Sequence, residues 1–280
     1  MTAFGMHLSV AGGLPKAVTR AIELGCDGFQ VFARNPRSMR AKPLEPEQVA
    51  AFRHAREEAG MWPVVVHVNY LVNVATPKEE LYDLSCDVLG DELARAQAIG
   101  ADIVVMHPGH HLGTGIDEAI TRVAAAIDRA YEQSDSQVTL CIENMAGAGT
   151  EVGRTFAELK QIIDSCRHGD LLGVCFDTCH AFAAGYDVAT PEGLDATLDE
   201  ISSTVGLQRV KMVHANDAMG TLGSGKDRHH NIGKGNIGLR GFTEILSRPA
   251  MARLPFILET PVNSPEDQER DLAAIRSCVP

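Results

Sequence analysis

The chain has 280 residues, 45% of them hydrophobic and 22% charged, and a formal net charge of −12. This length suits one large domain, and no apolar run approaches the roughly 20 residues that span a bilayer, which excludes a membrane-embedded protein. The acidic balance argues against nonspecific nucleic-acid binding, but bound divalent metals would neutralise part of it. Basic residues also cluster locally, at Arg34, Arg37, Arg40 and Lys42 and at Lys226, Arg228 and Lys234. We predict one domain over residues 1–280 with one positive face.

Short apolar runs alternate with longer segments whose apolar residues recur at helical spacing. The predicted strands cover residues 4–9, 28–33, 64–70, 102–107, 139–144, 173–178, 210–216 and 256–260. The predicted helices cover residues 14–24, 46–59, 78–99, 116–133, 155–166, 191–205, 239–246 and 265–277. Thr76-Pro77 and Thr190-Pro191 are typical helix starts, because threonine caps a helix and proline fits its first position.

Eight strands alternating with eight helices, roughly 35 residues apart, predict a (β/α)8 TIM barrel rather than an open doubly wound sheet. The sequence also lacks the glycine-rich dinucleotide fingerprint that many doubly wound sheets carry. In a TIM barrel, functional residues stand at the C-terminal ends of the strands and in the loops that follow.

Six successive predicted strands end on a histidine or a carboxylate. These residues are His67, His107, Glu143, Asp177, His214 and Glu259. Taken singly, each is more often a hydrogen-bonded structural group than a ligand. Together, three imidazoles and three carboxylates in one mouth would be costly without cations to neutralise them. We therefore predict a metal site at the C-terminal mouth of the barrel.

Two loops extend this set of candidate ligands. His180 follows Asp177 by three residues, and Asp227 and His229 point the same way if the backbone between them is extended. Nine ligands suit three metals, because catalytic zinc usually takes about three protein ligands. Imidazole and carboxylate donors favour zinc, with manganese or iron as alternatives at the more oxygen-rich positions. Neighbouring metals of this kind activate water and clamp a phosphate, which indicates phosphodiester hydrolysis.

Seven cysteines, with no Cys-x-x-Cys pair among them, predict reduced and mostly buried thiols. Cys175 and Cys179 flank Asp177, but we expect neither to be a metal ligand. The first residues lack the basic stretch and the apolar block of a secretory signal, so a cytoplasmic location is expected.

Motifs along almost the whole chain match one known family. They are Gly5-Met6-His7-Leu8-Ser9, Gly12-Gly13, His107-Pro108-Gly109, Ile142-Glu143-Asn144, Ala146-Gly147, Asp177-Thr178-Cys179-His180-Ala181-Phe182-Ala183-Ala184-Gly185-Tyr186-Asp187, His214 with Asn216-Asp217, Asp227-Arg228-His229-His230 with Ile232-Gly233 and Gly235, and Leu258-Glu259-Thr260. In these motifs the sequence resembles endonuclease IV, the zinc-dependent apurinic and apyrimidinic endonucleases of base excision repair.

The resemblance implies a trinuclear site, with three Zn²⁺ and with Mn²⁺ or Fe²⁺ as alternatives. The first metal would be held by His67, His107 and Glu143, the second by the bridging Glu143 with Asp177, His214 and Glu259, and the third by His180, Asp227 and His229. Glu143 and Glu259 would be the catalytic carboxylates. The reaction would be hydrolysis 5′ to an abasic site, leaving a 3′-hydroxyl and a 5′-deoxyribose phosphate without any protein nucleophile.

The resemblance also implies a monomer that acts on double-stranded DNA with abasic sites or blocked 3′ ends. Rim loops would grip the duplex through Arg34, Asn35, Arg37 and Tyr70, with Tyr70 wedged into the base stack. The chain departs from the usual family pattern at Met39, Val68, Asn69 and His110, which touch the DNA-contact loops rather than the nine ligands. His110, His111 and His230 are expected to be structural or to support the ligands.

Two other functions remain open from the sequence. A sugar isomerase or epimerase of the xylose isomerase type also places metals at a barrel mouth, but it relies on carboxylates for two metals, whereas five of the nine ligands here are histidines. A noncatalytic module would keep the metals for structure, although structural zinc sites are usually closed and rich in thiolates.

Overall fold

The computed structural model describes residues 2–264 and 266–280, and within them eight parallel strands close into a barrel. The strands are β1 (Phe4–His7), β2 (Gly28–Val31), β3 (Val64–His67), β4 (Ile103–Met106), β5 (Thr139–Glu143), β6 (Leu172–Asp177), β7 (Val210–His214) and β10 (Phe256–Leu258), with a separate hairpin of β8 (Asp217–Ala218) and β9 (His229–His230). β1 closes the ring by pairing with both β2 and β10, with Gly5 opposite Gly28 and Phe4 opposite Phe256. The predicted (β/α)8 barrel is confirmed.

Helices separate the barrel strands as predicted, with ends that shift by one or two residues. They are α1 (Leu14–Glu23), α2 (Pro46–Glu58), α3 (Glu79–Ile99), α4 (Ile116–Ser134), α5 (Phe156–Ser165), α6 (Thr178–Ala184), α7 (Pro191–Ser203), α8 (Gly238–Ser247), α9 (Pro249–Ala252) and α10 (Glu266–Arg276). Thr190 caps α7 as predicted, with its hydroxyl accepting from the Gly193 amide. The Thr76 start is wrong, because Lys78 is the residue that precedes α3. The predicted start of the last helix at Pro265 lies outside the described residues.

Burial on both faces explains the apolar strands. Every residue of β3 and β4 is buried, and the β-branched valines and isoleucines of these strands pack well on a pleated surface. The residues that point inward fill the barrel interior, and burying each large aliphatic side chain contributes about 1.5–3 kcal/mol. They are Val65, Ile103, Val105, Cys141, Cys175, Met212 and Ile257. The polar strand ends above this packed interior form the floor of the mouth.

The helices cover the outside of the barrel, with apolar faces turned toward it. In α1 the buried residues are Leu14, Ala17, Val18 and Ala21, which recur at the spacing of one helical face. Among the described residues, no helix combines the length and the apolar character needed to cross a membrane.

The segments after β6 and β7 are more ordered than the predicted loops. His180 lies in α6, which begins directly after Asp177, and the Asp177 carboxylate caps α6 by accepting from the His180 amide at 2.7 Å. After β7, the chain forms the β8–β9 hairpin, in which Ala218 pairs with His229. Both pieces are too short to give a periodic pattern, so the sequence predicted loops there.

Candidate metal centre

All nine predicted ligands lie at the C-terminal mouth of the barrel. Glu143, Asp177 and His214 are the last residues of β5, β6 and β7, and His67 is the last residue of β3. His107 and Glu259 are the first residues after β4 and β10. Of the remaining three, His180 lies in α6, Asp227 lies just before β9, and His229 is the first residue of β9.

The first group consists of His67, His107 and Glu143. The Nε2 atoms of His67 and His107 lie 3.5 and 3.3 Å from Glu143 Oε2. Two ligand atoms that each lie about 2.1 Å from one tetrahedral zinc ion are separated by about 3.4 Å. These three donors are therefore spaced to share one ion.

A second group adds Asp177, His214 and Glu259 to the same Glu143, and one ligand atom from each lies within 4.8 Å of the others. His214 Nδ1 lies 3.1 Å from Glu143 Oε1 and 3.4 Å from Glu259 Oε2. Glu143 thus offers Oε2 to the first group and Oε1 to the second. A carboxylate placed between two groups of donors in this way is positioned to bridge two cations.

The third group consists of His180, Asp227 and His229. The Nε2 atoms of both histidines approach Asp227 Oδ1, at 3.3 and 3.2 Å. His229 Nε2 also lies 3.9 Å from Asp177 Oδ2, which joins this group to the second one. Asp227 and His229 do point the same way, as the extended backbone predicts.

Protein acceptors fix one ring nitrogen of several of these histidines and leave the other free. Nδ1 of His67 lies 2.7 Å from the Val68 carbonyl oxygen, and Nδ1 of His180 lies 2.9 Å from the Asn144 carbonyl oxygen. The opposite atoms, Nε2 of His67, His180 and His229, are buried without a hydrogen-bond partner, as is Glu143 Oε2. Buried polar atoms rarely lack a partner, so these unpaired nitrogen and oxygen atoms are suited to bind cations.

The carboxylates of Glu143 and Glu259 are held ionised by their neighbours. Burial alone would raise the pKa of Glu143, but the rings of His214 and His107 lower that pKa well below its usual range. The pKa of Glu259 is likewise lowered, mainly by His214 against the effect of burial. Ionised carboxylates beside imidazoles form a donor set that suits zinc, iron or manganese.

Known proteins share this architecture and much of the sequence. A family model described as a xylose isomerase-like TIM barrel matches residues 18–278. A probable endonuclease 4 from Methanoculleus marisnigri is 47% identical over 277 residues, which are 99% of this chain and 98% of that protein. The crystal structure of endonuclease IV from Thermus thermophilus covers 99% of this chain and 98% of its own, with 40% identity and a TM-score of 0.89.

The chain belongs to the endonuclease IV family. This membership confirms the prediction of a DNA repair endonuclease. A D-tagatose 3-epimerase-like protein also matches, with a TM-score of 0.76 at 20% identity, and that likeness concerns the fold alone. The sugar isomerase alternative therefore gains no support beyond the shared barrel.

In this member of the endonuclease IV family, Gln30 and His7 touch the proposed ligands, although the sequence did not predict them as site residues. Gln30, buried in β2, contacts both Glu259 and His214, and His7, the last residue of β1, has Nδ1 3.1 Å from Glu259 Oε1. An amide within the otherwise apolar run Gly28–Val31 was the signal that could have pointed to Gln30. A buried amide needs polar partners inside the barrel.

Asn144 and Asn216 tie the ligand-bearing strands together. Asn144 accepts from the Asp177 amide at 2.8 Å, and Asn216 donates to Asp177 Oδ2 at 2.7 Å. Asn216 Oδ1 also accepts from the Glu259 amide at 2.9 Å. These bonds fix the relative positions of two carboxylates of the second group.

Asp217 anchors the loop that follows the third group. Its buried carboxylate accepts from the backbone amides of Gly233, Gly235, Ile237 and Gly238, at 2.9 to 3.3 Å. A Cβ atom at Gly235 would lie 2.5 Å from Asp217 Oδ1, so this close approach requires glycine. Through the pairing of Asp217 with His230, the same residue holds the β8–β9 hairpin.

The cysteines behave as predicted. All seven are free thiols, and six of them are buried. Cys175 lies near Glu143 and His214, but burial, followed by the charge of Glu143, raises its pKa well above the usual value. Burial, followed by the charge of Asp177, raises the pKa of Cys179 to about 12. Protonated thiols are poor metal ligands, so we assign both to packing.

Three of the four predicted DNA-contact residues are exposed at the rim, namely Asn35, Arg37 and Tyr70. The Tyr70 side chain stands over the site, with its ring centroid 5.2 Å from that of His67 and 5.7 Å from that of His107. A cavity of about 380 Å³ lies beneath it. The cavity is lined by Tyr70, His107, His110, Met145, Glu151, His180, Asp227, His229 and Glu259.

The predicted DNA contact of Arg34 is wrong. Its side chain is only 2% exposed and pairs with Asp91 and Glu92 of α3, with Nε 2.7 Å from Glu92 Oε1. Arg34 also donates to the Met39 carbonyl oxygen at 2.7 Å. Because these partners occupy its guanidinium, Arg34 anchors the loop that carries Asn35 and Arg37 instead of reaching a phosphate.

Two of the extra histidines and one of the departures make local polar contacts. Nδ1 of His111 accepts from the Gly113 amide at 3.1 Å, and Nδ1 of His230 accepts from the Asn231 amide at 2.9 Å. Asn69 donates to the Ser38 carbonyl oxygen at 2.7 Å and so joins two rim loops. That His111 and His230 are structural or support the ligands stays a prediction.

Proposed function

We propose that this chain hydrolyses the phosphodiester bond on the 5′ side of an abasic site in duplex DNA, leaving a 3′-hydroxyl and a 5′-deoxyribose phosphate. The observation that carries the proposal is the ligand set around Glu143, whose carboxylate oxygens each face a separate group of donors. That set lies at an open mouth beneath an exposed tyrosine, where a DNA backbone can reach it.

The three groups of donors would hold three divalent metals, Zn²⁺ or in part Mn²⁺ or Fe²⁺. The proposed ligands are His67, His107 and Glu143, then Glu143, Asp177, His214 and Glu259, then His180, Asp227 and His229. When bound, the metals supply an activated water and neutralise charge on the phosphate. The roles of Glu143 and Glu259 are to hold these cations and to balance their charge at the reacting phosphate.

The mouth offers hydrolysis without a covalent enzyme intermediate. Cys175 and Cys179 are buried and protonated, so neither is available as a nucleophile. Tyr70 is exposed at the rim, with its ring beside those of His67 and His107. It would act as a wedge where the base missing from the lesion leaves space in the stack.

Rim residues would hold the duplex. Arg37, Arg40 and Lys42 are exposed on the loop after β2, and Lys226, Arg228 and Lys234 are exposed around the β8–β9 hairpin. Cations on both sides of the mouth would contact backbone phosphates although the chain as a whole is acidic. The cavity of about 380 Å³ falls within the ~300–1,000 Å³ range of small-ligand pockets, which suits an extruded abasic sugar.

The proposal extends to the whole chain as one catalytic domain, residues 1–280, that acts as a monomer in the cytoplasm. One hydrophobic cluster runs from Phe4 to Cys278, and reduced cysteines are typical of that compartment. Blocked 3′ ends of nicked DNA would enter the same mouth, because they present a phosphodiester or phosphomonoester without a paired base beyond it.

The test is incision of a duplex that carries one abasic-site analogue. The zinc-loaded protein is expected to cut on the 5′ side and to leave a 3′-hydroxyl that a polymerase extends, and a strong chelator is expected to stop the reaction. A folded, metal-loaded protein that leaves this duplex intact would contradict the proposal and would direct attention to ketose and aldose substrates.

A further inference from the structure

Gln30 is a buried polar residue in the middle of β2, with 0% of its surface exposed. It stands in register with His7 on β1 and with Val65 on β3, at the top of the packed barrel interior. An amide in this position needs partners for both its oxygen and its nitrogen.

The side chain of Gln30 reaches three polar neighbours at once. Its Nε2 lies 2.6 Å from Glu259 Oε1 and 2.9 Å from His7 Nδ1. Its Oε1 lies 2.9 Å from His214 Nε2. Two of these neighbours, Glu259 and His214, belong to the second group of proposed metal ligands.

The chemistry of Glu259 fixes the orientation of the Gln30 amide. An ionised carboxylate only accepts hydrogen bonds, so the amide nitrogen must face Glu259. The amide oxygen must then face His214, and because that oxygen only accepts, His214 Nε2 must carry the proton. In the neutral ring, the lone pair is left on His214 Nδ1, which points at Glu143 Oε1 and Glu259 Oε2 at 3.1 and 3.4 Å.

We propose that Gln30 is a positioning residue for the metal bound by Glu143, Asp177, His214 and Glu259, because its one amide sets the tautomer of His214 and leaves Glu259 Oε2 free as a ligand. The proposal rests on the metal-dependent function above. Backbone carbonyls do the same for His67 and His180, whereas His214 depends on a side chain. A substitution at position 30 can therefore test the effect without altering a ligand.

The test variant is Gln30→Met, which keeps the length of the side chain and removes both hydrogen bonds. The affinity for Zn²⁺, measured by competition with a chromophoric chelator, is expected to fall roughly 10–100-fold for one bound ion and to stay unchanged for the others. With abasic duplex, kcat is expected to fall by a similar factor, with KM unchanged. Equal zinc affinity in the variant and the wild type would overturn the proposal.

The matched control is Val65→Ala, at the neighbouring position of β3. It opens a cavity in the same layer of the barrel but removes no hydrogen bond. It is expected to lower the midpoint of urea unfolding while leaving the zinc affinity unchanged. A loss of zinc affinity in Val65→Ala as large as in Gln30→Met would mean that packing, and not the amide, is responsible.

A second measurement needs no variant. Long-range ¹H–¹⁵N correlation spectra of the zinc-loaded wild-type chain are expected to show the His214 proton on Nε2 and the metal on Nδ1. A proton on Nδ1 would overturn the role of Gln30 while leaving the metal-dependent function intact. If the wild-type chain binds no zinc through His214 in either tautomer, the proposed function fails together with this inference.

Discussion

Glu143 is the residue on which the site depends most, since its carboxylate is fully buried and faces donors from both of the first two groups. The sequence could predict this glutamate because it ends an apolar strand. It could not predict that His67 and His180 are held by backbone carbonyls, since those contacts arise from loop conformations. Which ring nitrogen is free therefore becomes known only from the structure.

Glu143→Gln replaces one carboxylate oxygen by an amide nitrogen that cannot bind a cation. We expect the incision rate to fall at least ~100-fold, which is the upper end of the loss caused by removing an outer-shell partner of a metal ligand. The folded state should persist, as judged by circular dichroism. The same result is expected for Glu259→Gln.

The control for that experiment is Glu200→Gln. Glu200 accepts from the Tyr186 hydroxyl at 2.7 Å, at a position outside the three ligand groups. It should leave incision unchanged. Retention of most activity in Glu143→Gln or Glu259→Gln would contradict the assigned roles.

At the scale of elements, the loop after β2 carries two arginines, Arg34 and Arg37, that look alike in the sequence but differ in the structure. Arg37 is exposed, and Arg37→Ala should flatten the dependence of DNA affinity on salt by about 0.9 in a log–log plot, as expected for one lost phosphate contact. Arg34→Met should leave a buried partner unpaired and cost about 3 kcal/mol of folding free energy. Urea unfolding measures the second effect.

The expected loss of folding free energy for Arg34→Met is at the lower end of the range for breaking a buried ion pair. The reason is that Glu92 can become neutral. Burial raises the pKa of Glu92 to about 7 even with Arg34 beside it. If Arg34→Met changed the salt dependence and left the stability unaltered, the inward assignment of Arg34 would be wrong.

The β8–β9 hairpin depends on the Asp217 carboxylate. Asp217→Asn brings amide hydrogens against backbone donors, and we expect it to cost about 1.5–3 kcal/mol, the range for hydrogen bonds to a charged group. Zinc at the proposed ligands His180, Asp227 and His229 should be lost first, because His229 lies in that hairpin. Metal analysis should then find fewer ions per chain than in the wild type.

Asp187→Asn is the matched control for Asp217→Asn. Asp187 also accepts from a backbone amide, that of Ala189 at 3.0 Å, but it lies before α7 and away from the ligands. Its metal content should equal that of the wild type. An unchanged metal content in Asp217→Asn would show that the hairpin holds its ligands without this anchor.

The elements show where prediction from sequence succeeds. The eight barrel strands and most helices follow from apolar periodicity, which burial on both sides of the barrel imposes. The burial of Arg34 was not predictable, because its partners Asp91 and Glu92 lie more than fifty residues along the chain. Short pieces such as α6 and the β8–β9 hairpin are fixed by long-range contacts that no local pattern shows.

At the scale of the whole molecule, the mouth couples metal binding to stability. Burial lowers the pKa of His214, but Glu259 and Glu143 outweigh it and raise that pKa to about 9. Burial also lowers the pKa of His229, but the hydrogen bond to Asp227 and then the charge of Asp177 outweigh it and raise that pKa to about 9. Both values exceed the pKa of about 6.5 for an unfolded histidine.

Protein stripped of metal should therefore lose stability as pH rises. Because the folded pKa values are raised, the contribution of these rings is complete below about pH 6.5 and is lost as pH rises through about 9. The stability of zinc-loaded protein should instead increase as pH rises from about 6 to 8, because zinc binds neutral imidazole. Thermal unfolding curves at several pH values would test this, and parallel curves for the two forms would contradict it.

The most direct test of the trinuclear site is reconstitution of the metal-free chain with Zn²⁺, with bound metal and incision of an abasic duplex measured at each step. We expect no incision without metal and full incision as the count approaches three ions per chain. Full incision by the metal-free chain, or at one ion per chain with no gain beyond it, would contradict the trinuclear site.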